Sequence, residues 1–432
     1  MPEQYLRLKL RQANGDRYRA TLTASHRPEK ELEGCLYALP PELLQALRDC
    51  QHLYRQLDDA RIVGLSVARG NRDWLLDNLR SALDGLEAQL NGWLERGSSS
   101  GWQTVRDGLI AYAGELHRKE SDGEIFILLD CKDDPLNRLP WQAWRLLATH
   151  YPHSEVVLQA PKDSPTFVEP QLPATGPRVL VVVGRGDGID TKADLAVVRE
   201  LEARGAEVRS LIQPRHQELC EALWDECGYH IFVFTGHSGS RSDGRLGWLE
   251  LDCDERLSVE DLRDSLAAAI HNGLQLAIFN SCDGLGLAYQ LAQINLPQSI
   301  VMREPVPDTV AVDFLRYFFR EFARDRSLLA SIFTARKRLE PHQDRYPGAT
   351  LLPTLCLKPS AEFLTWQRMQ CEPTRPARPW QTRVVTLPIA IAIGLTGVAI
   401  GAIGTLWLLP PPCTASAGHA IACAPPSQEL GQ

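Results

Sequence analysis

The chain has 432 residues, 44% of them hydrophobic and 23% charged, which suits a globular protein with room for two or three domains. A formal net charge of −8 and the lack of any long basic tract exclude nucleic-acid binding through bulk charge. Its eleven cysteines include no C-x-x-C and no zinc-type Cys/His spacing, so the sequence argues for no metal.

The opening MPEQYLRLKLRQ alternates apolar and charged residues and has no apolar core of signal-peptide length, so a cytoplasmic start is expected. Alternating runs at Tyr5–Leu10 and Arg17–Thr23 predict a hairpin around Asn14-Gly15-Asp16. Leu43, Leu44, Leu47, Leu53, Tyr54 and Leu57 share one helical face. Glu124–Asp130 and Glu155–Gln159 read as buried strands. Between them PLNRLPWQAWRLL reads as a helix with Pro140 near its first turn. Residues 1–160 are therefore expected to form an α+β N-terminal region, and Pro-rich 161–177 a connector.

From residue 178 the rhythm changes. Apolar strands are expected at Arg178–Val183, Glu207–Leu211, His230–Phe234, Gln275–Phe279 and Ser299–Met302, separated by helices near 191–204, 215–227, 258–272 and 307–340. Continuous apolar strands divided by amphipathic helices predict an α/β domain over 178–366, with a mainly parallel sheet covered on both faces.

An Arg/Pro-rich linker, 367–383, leads to Val384–Leu409, which carries no charge and is long enough to span a bilayer as one helix. Arg368, Arg375, Arg378 and Arg383 precede it and no Lys or Arg follows, so the N-terminal part is expected in the cytoplasm and tail 410–432 outside. Trp380 and Trp407 stand near the two ends, as interfacial aromatics do. Gly397 and Gly401 form a G-x-x-x-G compatible with helix pairing into a homodimer. Cys413 and Cys423 could pair on an oxidising side.

In parallel α/β sheets, sites form at the carboxyl ends of strands. HIFVFTGHSGS breaks there to present His237, and QLAIFNSCDGLG breaks to present Cys282. A Cys nucleophile needs a base distant in sequence and adjacent in the fold, and two neighbouring strand ends supply that arrangement. Taken singly, a Cys or His after a strand is an ordinary core or loop residue.

The stretches FTGHSG (234–239), LAIFNSCDGLGLA (276–288) and IVMREPVPD (300–308) resemble the CHAT domain, a bacterial branch of the caspase–separase group of cysteine peptidases. The resemblance covers about 178–358, and LPWQAW in the first half is similar to the variable region preceding such domains. It implies a caspase-like fold and a protein substrate, with Cys282 as nucleophile and His237 as proton shuttle. Backbone N–H groups at Cys282 and in the Ser238-Gly239 turn would receive the oxyanion. Relatives that cut after basic residues carry an acidic residue two positions before the nucleophile, where this chain has Asn280. Asp283, Glu304 and Asp308 are further acidic candidates for the cleft, and each suits a turn or helix start equally well.

Two other motifs fit less well. GHSGS at 236–240 approaches a nucleophile elbow with Ser238 as nucleophile, yet a hairpin is expected to follow it, not a helix. VVVGRGDGID at 181–190 sits where a dinucleotide loop would, but Ile189 replaces the third glycine and no acidic residue follows the next strand. No reading calls for a cofactor. The alternative from another class is a catalytically silent interaction scaffold of the same fold at the membrane.

Overall fold

The computed structural model describes residues 4–13, 17–62, 69–96, 100–119, 125–159, 176–185, 196–240, 247–252, 255–281, 284–358 and 363–370. The chain divides into the unit Met1–Pro376 and the unit Ala377–Gln432. All of the second unit, with the expected span 384–409, Gly397, Gly401, Cys413 and Cys423, lies outside the described residues. Among the described residues no helix is long and apolar enough to cross a membrane.

Strands β1 (Gln4–Gln12), β2 (Arg17–Ala24) and β3 (Arg27–Tyr37) form an antiparallel meander, and helices α1 (Pro41–Ile62), α2 (Arg69–Arg96) and α3 (Ser100–Lys119) follow. The chain continues with β4 (Ile125–Cys131), α4 (Asp134–Arg138), α5 (Arg145–His150), β5 (Ser154–Gln159), β6 (Arg178–Val183), β7 (Glu207–Ile212) and α6 (His216–Leu223). Next come β8 (Ile231–Thr235), β9 (Ser238–Ser240), β10 (Gly247–Asp252), β11 (Glu255–Ser258), α7 (Arg263–His271), β12 (Leu276–Asn280) and α8 (Leu285–Gln293). The last elements are β13 (Gln298–Met302), α9 (Asp308–Phe322), α10 (Leu328–Lys337), β14 (Pro353–Leu357) and α11 (Trp366–Gln370).

Eleven strands form one sheet in the order β3-β2-β1-β4-β5-β14-β13-β12-β8-β6-β7. Seven of its strand pairs are parallel and three antiparallel, so the sheet is mixed and mainly parallel. Residues alternate between two cores. Leu180, Val182, Phe232, Phe234, Ala277 and Phe279 face one side with α3, α6, α7 and α8. Val179, Val181, Ile231, Val233, Leu276 and Ile278 face the other with α9, α10 and α11. Strands covered on both faces need apolar residues at every position, which is why they read as unbroken runs. Each fully buried Val, Ile or Phe contributes about 1.5–3 kcal/mol, so these strands carry much of the unit's hydrophobic stabilisation.

Several expectations change here. The N-terminal region and the domain after the connector share this sheet, because β14, from the far end of the unit, pairs parallel with β5 and antiparallel with β13. PLNRLPWQAWRLL is not one helix: Pro140 stands between α4 and a 3-10 turn, Trp141–Ala143, with α5 starting afresh at Arg145. The expected helix 307–340 is two, parted where Asp325 adopts φ 63° and Ser327 caps α10 by accepting from the Ala330 N–H at 3.0 Å.

Candidate active site at the carboxyl ends of β6, β8 and β12

The chain runs outward from β6 to β7, then returns to the opposite side of β6 for β8, β12 and β13, so the order reverses between β6 and β8. Such a reversal leaves a crevice at the carboxyl ends. His237 follows β8 at that point and is 7% exposed.

Main-chain bonds hold it there. The His237 N–H donates to the Arg185 carbonyl (3.3 Å), the Arg185 N–H to the Glu250 carbonyl (2.9 Å), and the Glu250 N–H to the His237 carbonyl (3.0 Å). The Gly184 N–H closes the frame on the Thr235 carbonyl at 2.8 Å. Glycine is required because a Cβ at Gly184 would stand 2.2 Å from the Glu250 oxygen and 2.8 Å from the Phe234 ring. Gly236, at φ 142°, turns the chain out of β8 in a conformation that side chains resist.

The residues after His237 form β9, which pairs antiparallel with β10: Ser238 faces Leu249, Gly239 faces Trp248 and Ser240 faces Gly247. The expected Ser238-Gly239 turn is thus a strand, and no helix follows Ser238 as a nucleophile elbow would need. Since Glu250 donates to His237, antiparallel alternation makes Gly239 and Trp248 the next hydrogen-bonded pair and directs the Ser238 N–H away from β10.

Strand β12 lies beside β8, parallel and in register, with Asn280 opposite Thr235. Ser281, 2% exposed, follows Asn280, and its Oγ accepts a 2.7 Å hydrogen bond from the Ser238 hydroxyl. Cys282 and Asp283 lie outside the described residues. On their far side the Gly284 N–H donates to the Met302 carbonyl at 2.9 Å, and Gly284 caps α8. A Cβ at Gly284 would come within 2.9 Å of Val301, so this turn sits directly on β13.

The family model for the CHAT domain matches residues 118–374. The chain belongs to the CHAT domain family. That match begins well before the connector, so LPWQAW lies inside the CHAT domain and not in a region preceding it. Two crystal structures of the Saccharomyces cerevisiae separase–securin complex are similar in fold, each with a TM-score of 0.52 and 10% identity. They cover 83% and 82% of this chain, which spans 30% of the length of the chain it matches there. The Arg-specific cysteine proteinase gingipain R is further off, with a TM-score of 0.43 and 11% identity over 61% of this chain and 69% of its own. No curated protein matches. The fold of this CHAT chain is α/β, a mixed sheet flanked by helices, and is similar to that of separase.

The other candidate residues take these places. Asn280 ends β12 and is 4% exposed. Glu304, after β13, is buried and accepts from the Gln51 amide at 3.1 Å, tying it to α1. There its charge adds to burial in raising the Cys50 thiol to about 12 and in raising the Tyr54 phenol. Asp308 is the first residue of α9. Neighbouring Arg303, which the sequence reading passed over, donates from Nη1 to the carbonyls of Asn137 (2.6 Å) and Leu139 (2.9 Å), and burial lowers it to about 10. It thereby anchors the segment between α4 and the 3-10 turn to the end of β13.

Burial also raises the thiols of Cys131 and Cys356, the latter to about 12, so with Cys50 these three are inert at neutral pH. Among the described residues no His/Cys/Asp/Glu cluster could hold a metal ion.

Proposed function

We propose that the protein is a membrane-tethered caspase-like cysteine endopeptidase using His237 and Cys282 as a dyad, in regulated proteolysis or signalling. The observation that carries this is the in-register pairing of β8 with β12, since equal steps past Thr235 and Asn280 reach His237 and Cys282. Cys282, as thiolate, attacks the scissile carbonyl and forms an acyl-enzyme. His237 protonates the leaving amine, then takes a proton from the water that hydrolyses the thioester. The oxyanion is received by the N–H groups of Cys282 and Ser238, with Gly239 allowing close approach of the substrate backbone. Helix α8 begins three residues beyond Cys282, and the positive end of a helix favours a thiolate.

Residues 384–409 would hold this domain at a bacterial plasma membrane, with Gly397 and Gly401 available for pairing two copies. One experiment tests chemistry and tether together. Membranes from cells expressing wild type, Cys282→Ala or His237→Ala are washed in carbonate, and the protein fragments each pellet generates are compared. Cleavage is expected in the wild-type pellet alone. Equal fragments from Cys282→Ala overturn the peptidase, and activity released by the wash overturns the tether.

A further inference from the structure

The frame around His237 joins it to β6 and β10, but it does not fix how far His237 stands from the end of β12. The β8–β12 ladder stops at Thr235 and Asn280, and Gly236 then swings the chain aside. Past that point, among the described residues, side-chain links cross between the His-bearing and Cys-bearing segments at two places. One is the 2.7 Å bond from the Ser238 hydroxyl to Ser281, residues that follow His237 and precede Cys282. The other is the Gly247 N–H donating to Gln290 Oε1 on α8 at 2.9 Å, where a Cβ at Gly247 would meet Leu287 at 2.6 Å. The second link seats the β9–β10 hairpin on α8, and the first joins the residues next in sequence to His237 and Cys282.

We propose that Ser238 and Ser281 are positioning residues: their hydroxyl bridge sets the separation of imidazole and thiol, and with it the stability of the thiolate. This rests on the dyad reading above. Ser281 is buried and Ser238 partly so, which limits the competition of water for the bond. A thiolate–imidazolium pair is sensitive to spacing, and misplacement by about 1 Å costs on the order of 100-fold in rate.

The test needs no substrate. The purified full chain is treated with iodoacetamide from pH 5 to 9, and alkylation of the peptide carrying Cys282 is followed by mass spectrometry. Wild type is expected to react well below the ordinary thiol range of about 8.5. Ser238→Ala and Ser281→Ala are expected to move the profile toward that range, with about a 10-fold loss of rate at pH 6. The double variant should lose no more than either single one, because both remove the same bond. Ser238→Thr, which keeps the hydroxyl on a strand position, should retain the wild-type profile. Matching thermal unfolding confirms that the variants fold. An unmoved profile in both alanine variants, or additive losses, overturns the bridge while the dyad stands. An ordinary thiol profile in the wild type, unchanged by His237→Ala, overturns the dyad and the bridge with it.

Discussion

The two ends of the central strands hold their polar groups to different degrees by charge and by main chain. At the amino ends, Arg178 opens β6 with its guanidinium on Glu207 at 2.9 and 3.0 Å, on Asp225 at 3.4 Å, and against the Tyr229 ring at 4.8 Å. Burial works against its charge, yet the bonds and charge of Glu207 and the charge of Asp225 raise its pKa, and Arg178 in turn lowers that of Glu207. At the carboxyl ends main-chain bonds and glycines frame His237, and the charges on that frame, Glu250 with Arg185 at 3.8 Å and with Arg256 at 3.0 Å, form a looser cluster with more exposed arginines. A closed charge network gives stability, whereas a backbone frame gives position without spending the side chains. On the proposed dyad, the contrast separates an end that stabilises from the end that would do the chemistry.

The sharpest way to break this contrast is Gly184→Ala. Its methyl would stand 2.2 Å from the Glu250 carbonyl, which belongs to a strand and cannot move without shifting the His237 frame. Overpacking of this kind costs about 1–3 kcal/mol, and displacement of His237 is expected to lower cleavage on the order of 100-fold. Urea unfolding and peptide cleavage measure the two effects. Full activity in a destabilised variant would show that the frame is not what positions the histidine.

Arg178→Met probes the other end. Glu207 is mostly exposed and regains water, but Asp225 and the Gly228 carbonyl lose a buried donor. A loss of about 3 kcal/mol in unfolding free energy is expected, with activity per folded molecule unchanged. A fall in activity at low temperature, where the variant is folded, would mean that the two ends are coupled.

How much of this was legible follows from locality. Strands β6, β8, β12 and β13 lie within one residue of the apolar runs that predicted them, because burial on both faces writes itself into consecutive residues. Helix α8 was passed over: its opening Gly284-Leu285-Gly286 reads as turn, and only its seat on β13 and β10 makes a helix of it. Strand β14 escaped for a similar reason, since nothing in PTLCL announces partners as distant as β5 and β13. That insertion is what fuses two expected regions into one sheet. At the site, His237 and the glycines announce themselves by interrupting apolar strands. The Ser238–Ser281 bond and the attachment of Glu304 to α1 do not, because each joins residues that no sequence spacing relates.

The subtlest distinction between the two ends is in pH. His230 precedes β8 at the amino end, 1% exposed, and its Nδ1 accepts the Arg178 N–H at 3.1 Å, so Nε2 carries the proton. Nε2 has no partner among the described residues, and burial, aided by the Arg178 charge, lowers this imidazole from 6.5 to about 4. The folded state therefore holds it neutral while the unfolded chain protonates at 6.5. Its contribution is intact above that value, erodes as pH falls through 6.5, and is fully lost below about 4. Between pH 8 and pH 5 this one group should cost about 2 kcal/mol of unfolding free energy. His230→Asn keeps an acceptor near the position of Nδ1 and cannot titrate, so its stability should fall less over the same interval. Equal slopes for the two proteins, measured by urea unfolding at a series of pH values, would mean that His230 is not held neutral. The amino end would then be insensitive to acid through this residue, leaving Glu207 and Asp225, whose pKa values are lowered, as its acid-sensitive groups.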